Sequence, residues 1–305
     1  MYLNHFGLKE LPFTLTPNTN FYVDLPCHHE AFQVLTTALK MGEGFIKVTG
    51  EVGTGKTLIC RKLLNELGDN FIAAYIPDPY LSPEELRWAL ACELGMPHSD
   101  KVDQQQLMQK LQKHLLSLAK EGKSVVLIVD EAQALPFESL EALRLFTNLE
   151  TEQKKLVQVV LFAQFELDAR LAKPELRQLR QRISFAYKLR PLTPKEIDMY
   201  VDRRLMKAGF DEPRRLFNAR AVKVLAKASR GIPRLVNVLC HKALMLCYGK
   251  GQNEVNKKHL NGAINDTDDA TVTQSFEPKL VGAVVFGCCS VGAAILWWLQ
   301  GGTYS

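Results

Sequence analysis

Gly50-Glu51-Val52-Gly53-Thr54-Gly55-Lys56-Thr57 follows a short apolar run, Phe45-Ile-Lys-Val-Thr49, and opens a helical pattern. It satisfies G-x-x-x-x-G-K-[ST] in the strand–loop–helix context that this pattern requires. Glycines let backbone N–H groups wrap phosphate oxygens without Cβ clashes, and the following helix adds the positive end of its dipole. Lys56 has the charge and reach for β and γ phosphates, and Thr57 offers a hydroxyl to Mg²⁺. The whole cradle, Gly50 through Thr57, is therefore expected to bind ATP, with Mg²⁺ as its companion ion.

Outward from this loop, short β-rich runs alternate with helical patterns. Residues 45–49, 70–76, 124–130, 156–163 and 183–189 are mostly apolar on both faces, as buried parallel strands are. Ser82-Pro83-Glu84-Glu85 supplies an N-cap, a proline at the first helical position and Glu at the third. Further helices are expected near 103–120 and 136–148. The alternation predicts an α/β fold, a parallel sheet with helices on both faces. After Pro191 the strand signals stop. Thr193-Pro-Lys-Glu196 opens one helix, and others follow near 218–229, 233–248 and 254–265, which together predict a small all-α lid.

The run Val125-Val-Leu-Ile-Val-Asp130-Glu131-Ala-Gln133 ends a buried strand on an acidic pair. Asp130 is placed to hold the metal through a bound water, and Glu131 to polarise the attacking water as general base.

At this point the chain resembles the AAA+ ATPases, and within them the ExeA/GspA-type general secretion pathway proteins. The motifs that carry the resemblance are Leu11-Pro-Phe13, the Gly50–Thr57 loop, Asp130-Glu-Ala-Gln133, Ala163-Gln-Phe-Glu-Leu167, Leu179-Arg-Gln-Arg-Ile183 and Gly231-Ile-Pro-Arg-Leu-Val-Asn237. The match runs from Phe6 to about Ile264. Because the chain stops soon after its last apolar segment, the MSHA pilus biogenesis branch is the one it looks most like. The resemblance implies that Gln164 is the polar sensor of the γ-phosphate or the attacking water. It further implies that Arg182, with Arg180 as the other candidate, is an arginine finger acting on a neighbouring subunit's nucleotide, and that Arg234 is the sensor arginine of the lid. The chemistry agrees: an amide both donates and accepts, and guanidinium stabilises charge developing on phosphoryl oxygens. Where many relatives have Gly-Gln-Pro-Glu-Leu, this chain has Ala163 and Phe165 around the same amide. The family resemblance also suggests a role near the nucleotide base for His28 and His29, which fit a helix-start surface pair equally well.

Residues 280–299, LVGAVVFGCCSVGAAILWWL, contain no charge. As a helix they span about 30 Å, the thickness of the hydrocarbon core of a bilayer, and Trp297 and Trp298 stand where interfacial aromatics belong. The expected organisation is an AAA+ domain over 1–190, the lid over 191–265, a linker over 266–279, a transmembrane helix over 280–299 and a tail over 300–305. The resemblance implies a peptidoglycan-binding domain beyond the membrane helix in relatives of this type; with only Gln300–Ser305 there in this sequence, the expectation is that any wall-remodelling role would be supplied by a partner. Met1–Gly7 lacks a basic leader, so no secretory signal is expected.

The seven cysteines are scattered and form no CxxC pair, so neither a disulfide framework nor a zinc site is expected. A net charge of +5 from 38 basic and 33 acidic residues neither demands nor excludes a nucleic-acid partner, although a DNA-binding domain usually shows a stronger basic bias; nucleic acid is not expected among the partners. The resulting expectation is a membrane-anchored AAA+ ATPase of the bacterial inner membrane, with the ATPase domain in the cytoplasm. It would form a ring or dimer through a trans arginine and work with inner-membrane proteins to assemble an MSHA-like type IV pilus or a type II secretion machine. The alternatives are a DNA-handling AAA+ ATPase of the transposition or origin-recognition type, and a slow-turnover nucleotide-dependent scaffold.

Overall fold

The computed structural model describes residues 2–16, 21–97, 103–151 and 154–270. The expected span at 280–299, the tail, and the linker from residue 271 onward lie outside the described residues. Among the described residues no helix is long and apolar enough to cross a membrane.

Five strands, β1 (Phe45–Thr49), β2 (Phe71–Ile76), β3 (Ser124–Val129), β4 (Val157–Ala163) and β5 (Phe185–Lys188), form one sheet in the order β2-β3-β4-β1-β5. Every pairing is parallel. All five coincide with expected strands to within two residues at either end. The connecting helices are α1 (Tyr2–His5), α2 (Pro26–Lys40), α3 (Lys56–Glu66), α4 (Pro83–Glu93), α5 (Gln104–Lys120), α6 (Phe137–Phe146), α7 (Glu166–Leu171) and α8 (Arg177–Arg182). The helical bundle that follows comprises α9 (Pro194–Lys207), α10 (Ala219–Ser229), α11 (Pro233–Gly249) and α12 (Lys257–Asn265).

Side chains along a strand alternate between faces, and both faces of the central strands are covered. Val125, Leu127 and Val129 of β3 and Val157, Val159 and Leu161 of β4 bury against α4, α5 and α6. Val126 and Ile128, with Val160 and Phe162, bury against α2 and α3 on the other side. This is why those strands are apolar apart from Ser124 and Gln158, whereas edge strand β5 alternates half-buried Phe185 and Tyr187 with exposed Ala186 and Lys188.

A third cluster joins the chain's first residues to the bundle. Phe6, Leu8, Phe13, Phe21 and Leu25 pack with Ile197, Val201, Phe217, Leu225 and Leu239. Arg204, itself 6% exposed, fastens this strap by donating to the Pro12 carbonyl at 2.6 Å and stacking over the Phe21 ring. The expected capping boxes are present at both Ser82–Glu85 and Thr193–Glu196.

Candidate functional site

In an open parallel sheet the crevice beyond the carboxyl ends of the strands is where ligands settle. Here β1 lies between β4 and β5, and β3 lies beside β4. The loop leaving β1, the acidic pair leaving β3 and the amide leaving β4 therefore emerge side by side. The Gly50 amide donates to the Ala163 carbonyl at 3.2 Å, which ties the phosphate loop to the end of β4.

Gly53 and Gly55 take φ of +80° and +101°, the left-handed region that residues with a Cβ avoid. Close approach excludes a side chain as well: a Cβ on Gly53 would lie 2.6 Å from Arg234 Cβ. Lys56 and Asp130 are both buried. Lys56 Nζ donates to the carbonyls of Gly50 and Glu51, each at 2.9 Å, so the ammonium lies inside the turn. Burial lowers the Lys56 pKa, opposed by the nearby carboxylates of Glu131 and Asp130.

Burial likewise raises the Asp130 carboxyl, opposed by the hydrogen bond from the Thr57 hydroxyl and by the Glu131 N–H at 2.9 Å. The Asp130–Thr57 pair fits a magnesium ion in its donor chemistry: hard oxygens, one anionic, beside a phosphate cradle. No group of three or more His, Cys, Asp or Glu residues suited to a metal occurs among the described residues. Magnesium does not need one, because it keeps water and phosphate oxygens as ligands.

Glu131 adopts φ 49° and ψ 37°, a left-handed conformation that costs a non-glycine residue about 1–2 kcal/mol. Its Oε2 accepts from Gln164 Nε2 at 3.1 Å and from Gln133 Nε2 at 2.5 Å. Thus the residues expected as general base and sensor are in direct contact. From the bundle, Arg234 enters at the start of α11, with Pro233 at the first helical position, and its backbone N–H donates to the Gly53 carbonyl at 3.2 Å.

A cleft of about 370 Å³ is lined by Gly53, Gly55, Lys56, Thr57, Glu131 and Arg234, together with Thr14–Thr16, Tyr200, Arg204 and Asn237. A neighbouring cleft of about 710 Å³ includes Glu51, Val52, Gln164 and Arg234. Arg182 lines neither; its guanidinium donates to Thr147 Oγ1 at 3.3 Å. Of the expected site residues, the phosphate loop, Thr57, Asp130, Glu131, Gln164 and Arg234 converge. Arg182 and Arg180 stand on exposed positions of α8.

Sequence reasoning left His28 open between a role near the nucleotide base and a surface pair, and gave Gln133 no role. His28 is buried, not on the surface, and its Nε2 lies 2.9 Å from the Thr54 carbonyl; burial lowers its pKa. Gln133 was part of a quoted motif, yet nothing in its spacing announced that its side chain would reach Glu131. The strap residues Thr14–Thr16 carried no signal either, because they reach the cleft only through packing on the bundle.

The AAA domain family matches residues 39–171. General secretion pathway protein A of Aeromonas hydrophila is 39% identical over 302 residues, covering 98% of this chain and 54% of that protein. The chain therefore spans about half the length of this curated relative. Among solved structures, Cdc6p from Pyrobaculum aerophilum aligns with a TM-score of 0.62 at 20% identity, over 81% of this chain and 70% of that one. The Aeropyrum pernix ORC1 protein in complex with DNA aligns with a TM-score of 0.60 at 20% identity, over 84% and 69%. At such identity these likenesses show a shared fold.

Proposed function

Because this chain belongs to the AAA+ ATPases of the general secretion pathway protein A type, we propose that it hydrolyses ATP to drive assembly of a secretion or type IV pilus machine at the inner membrane. The single observation that carries the ATPase reading is the convergence of Lys56, Thr57, Asp130, Glu131, Gln164 and Arg234 about the Gly50–Thr57 loop.

Each residue has a distinct task. The N–H groups of the Gly50–Thr57 loop cradle phosphate oxygens, and Lys56 exchanges its two carbonyl acceptors for the β and γ phosphates. Magnesium supplies neutralisation of the phosphate charge when held by Thr57 and, through water, by Asp130. Glu131 accepts the proton of the attacking water, Gln164 orients that water or the γ-phosphate, and Arg234 couples the bundle to the nucleotide. Arg182 acts on the nucleotide of an adjacent copy.

Two measurements test this reading. Lys56→Ala should abolish ATP·Mg²⁺ binding, while Glu131→Gln should bind ATP as wild type does and lose at least about a hundredfold in turnover. Undiminished hydrolysis in Glu131→Gln removes the base assignment. For the membrane role, the apolar stretch 280–299 is the proposed anchor. The full chain should resist carbonate extraction from bacterial membranes, and deletion of 280–299 should release it; extraction of both forms alike contradicts the anchor.

A further inference from the structure

Gln133 makes three hydrogen bonds to three different elements of the site. Its Nε2 donates to Glu131 Oε2 at 2.5 Å, its Oε1 accepts from the Gln164 backbone N–H at 2.9 Å, and its own carbonyl accepts from Arg170 Nη1 of α7 at 2.6 Å. The backbone N–H of Gln164 can only donate, so Oε1 must face it and the amide NH₂ must face the carboxylate. The side chain is therefore oriented by chemistry rather than by choice of fit. Glu131 meanwhile sits in a left-handed conformation, and such a residue persists only where its surroundings over-determine it. The Gln133 and Gln164 amides supply that constraint by both donating to Oε2, and Oε1 takes part in neither bond.

We propose that Gln133 is a positioning residue for Glu131: it clamps one carboxylate oxygen so that the other receives the proton of the attacking water, and it locks base and sensor strand ends together through the Gln164 N–H. The inference rests on the assignment of Glu131 as general base. Arg170, gripping the Gln133 carbonyl, ties this clamp to α7, the helix that directly follows the sensor.

Two substitutions separate positioning from folding. Gln133→Met removes both side-chain bonds at similar size. Gln133→Glu keeps the acceptor for Gln164 N–H but sets carboxylate against carboxylate. With ATP·Mg²⁺ as substrate and a fluorescent ATP analogue as binding probe, both variants should lose about tenfold or more in kcat while nucleotide affinity stays within about threefold of wild type. The activity of Gln133→Glu relative to wild type should rise as pH falls toward the carboxyl range, because the protonated acid donates as the amide did; Gln133→Met should show no such rise. The inference is overturned if either variant keeps wild-type kcat while Glu131→Gln is inactive, or if kcat, affinity and Tm fall together. Undiminished turnover in Glu131→Gln overturns the base assignment and this inference with it.

Discussion

Gly53 is pinned by two independent constraints, a φ of +80° and a lid residue against its α-carbon. Alanine there costs about 1–2 kcal/mol in backbone energy alone, and 1.4 kcal/mol is tenfold in affinity. The added methyl must also push Arg234 away from the phosphate loop. Gly53→Ala should therefore weaken ATP binding by about tenfold or more, read by titration of a fluorescent nucleotide, with the far-UV circular dichroism of wild type retained. Wild-type affinity would mean that the loop and the lid separate when nucleotide binds. At this scale much of the site was legible. A phosphate cradle needs glycines and a lysine at set spacings, and a buried strand ending on Asp130-Glu131 has few other uses. The left-handed backbone of Glu131 was not legible, because it arises from contacts with Gln133 and Gln164 that lie on different elements.

Helix α9 carries its own start signal, and the same signal makes it sensitive to acid. Glu196 accepts both guanidinium arms of Arg190 at 2.8 Å, together with the Thr193 N–H and hydroxyl. The Arg190 pair, with Thr193 behind it, lowers its carboxyl to about 2 from 4.5. A carboxyl with a depressed folded pKa contributes stability fully above its unfolded value and loses it as pH falls through the folded one. Glu196→Gln should lower Tm by about 2–4 °C at neutral pH, as expected for one charge-assisted pair. The gap should begin to close below the ordinary carboxyl value of 4.5 and vanish by about 2. A gap unchanged across that range, followed by calorimetry, would show that Glu196 acts through packing alone. The capping residues made α4 and α9 readable from sequence because capping is local: an N-cap side chain bonds a backbone N–H three positions along. The 3-10 turn at Ala132–Ala134 had no such local mark.

For the whole molecule, the decisive question is whether sites on separate copies combine. Arg182 stands on exposed α8, away from both clefts, whereas the Lys56 site lies within the chain. If the arginine works in trans, Lys56→Ala and Arg182→Ala should each lose hydrolysis alone, and mixing them should restore a measurable fraction, because the first contributes Arg182 to the intact phosphate loop of the second. A mixture no more active than its parts would confine Arg182 to a structural role. The same scale explains the strap. Phe6, Leu8 and Phe13 come first in the chain but bury with the last helices, and His28, at the end of that segment, meets the Thr54 carbonyl of the phosphate loop.

From sequence alone came the parallel α/β sheet, the helical bundle, the phosphate loop, the acidic pair and the family resemblance. Each depends on periodicity or on spacing within one short segment, and such signals survive in one dimension. Tertiary structure alone decided that Gln133 grips Glu131, that Arg234 backs onto Gly53, that His28 is buried, and that the first residues belong with the last helices. Those contacts join residues far apart in the chain or turn a side chain toward an unforeseen partner, and burial with directional hydrogen bonding selects them only once the sheet order has brought the strand ends together.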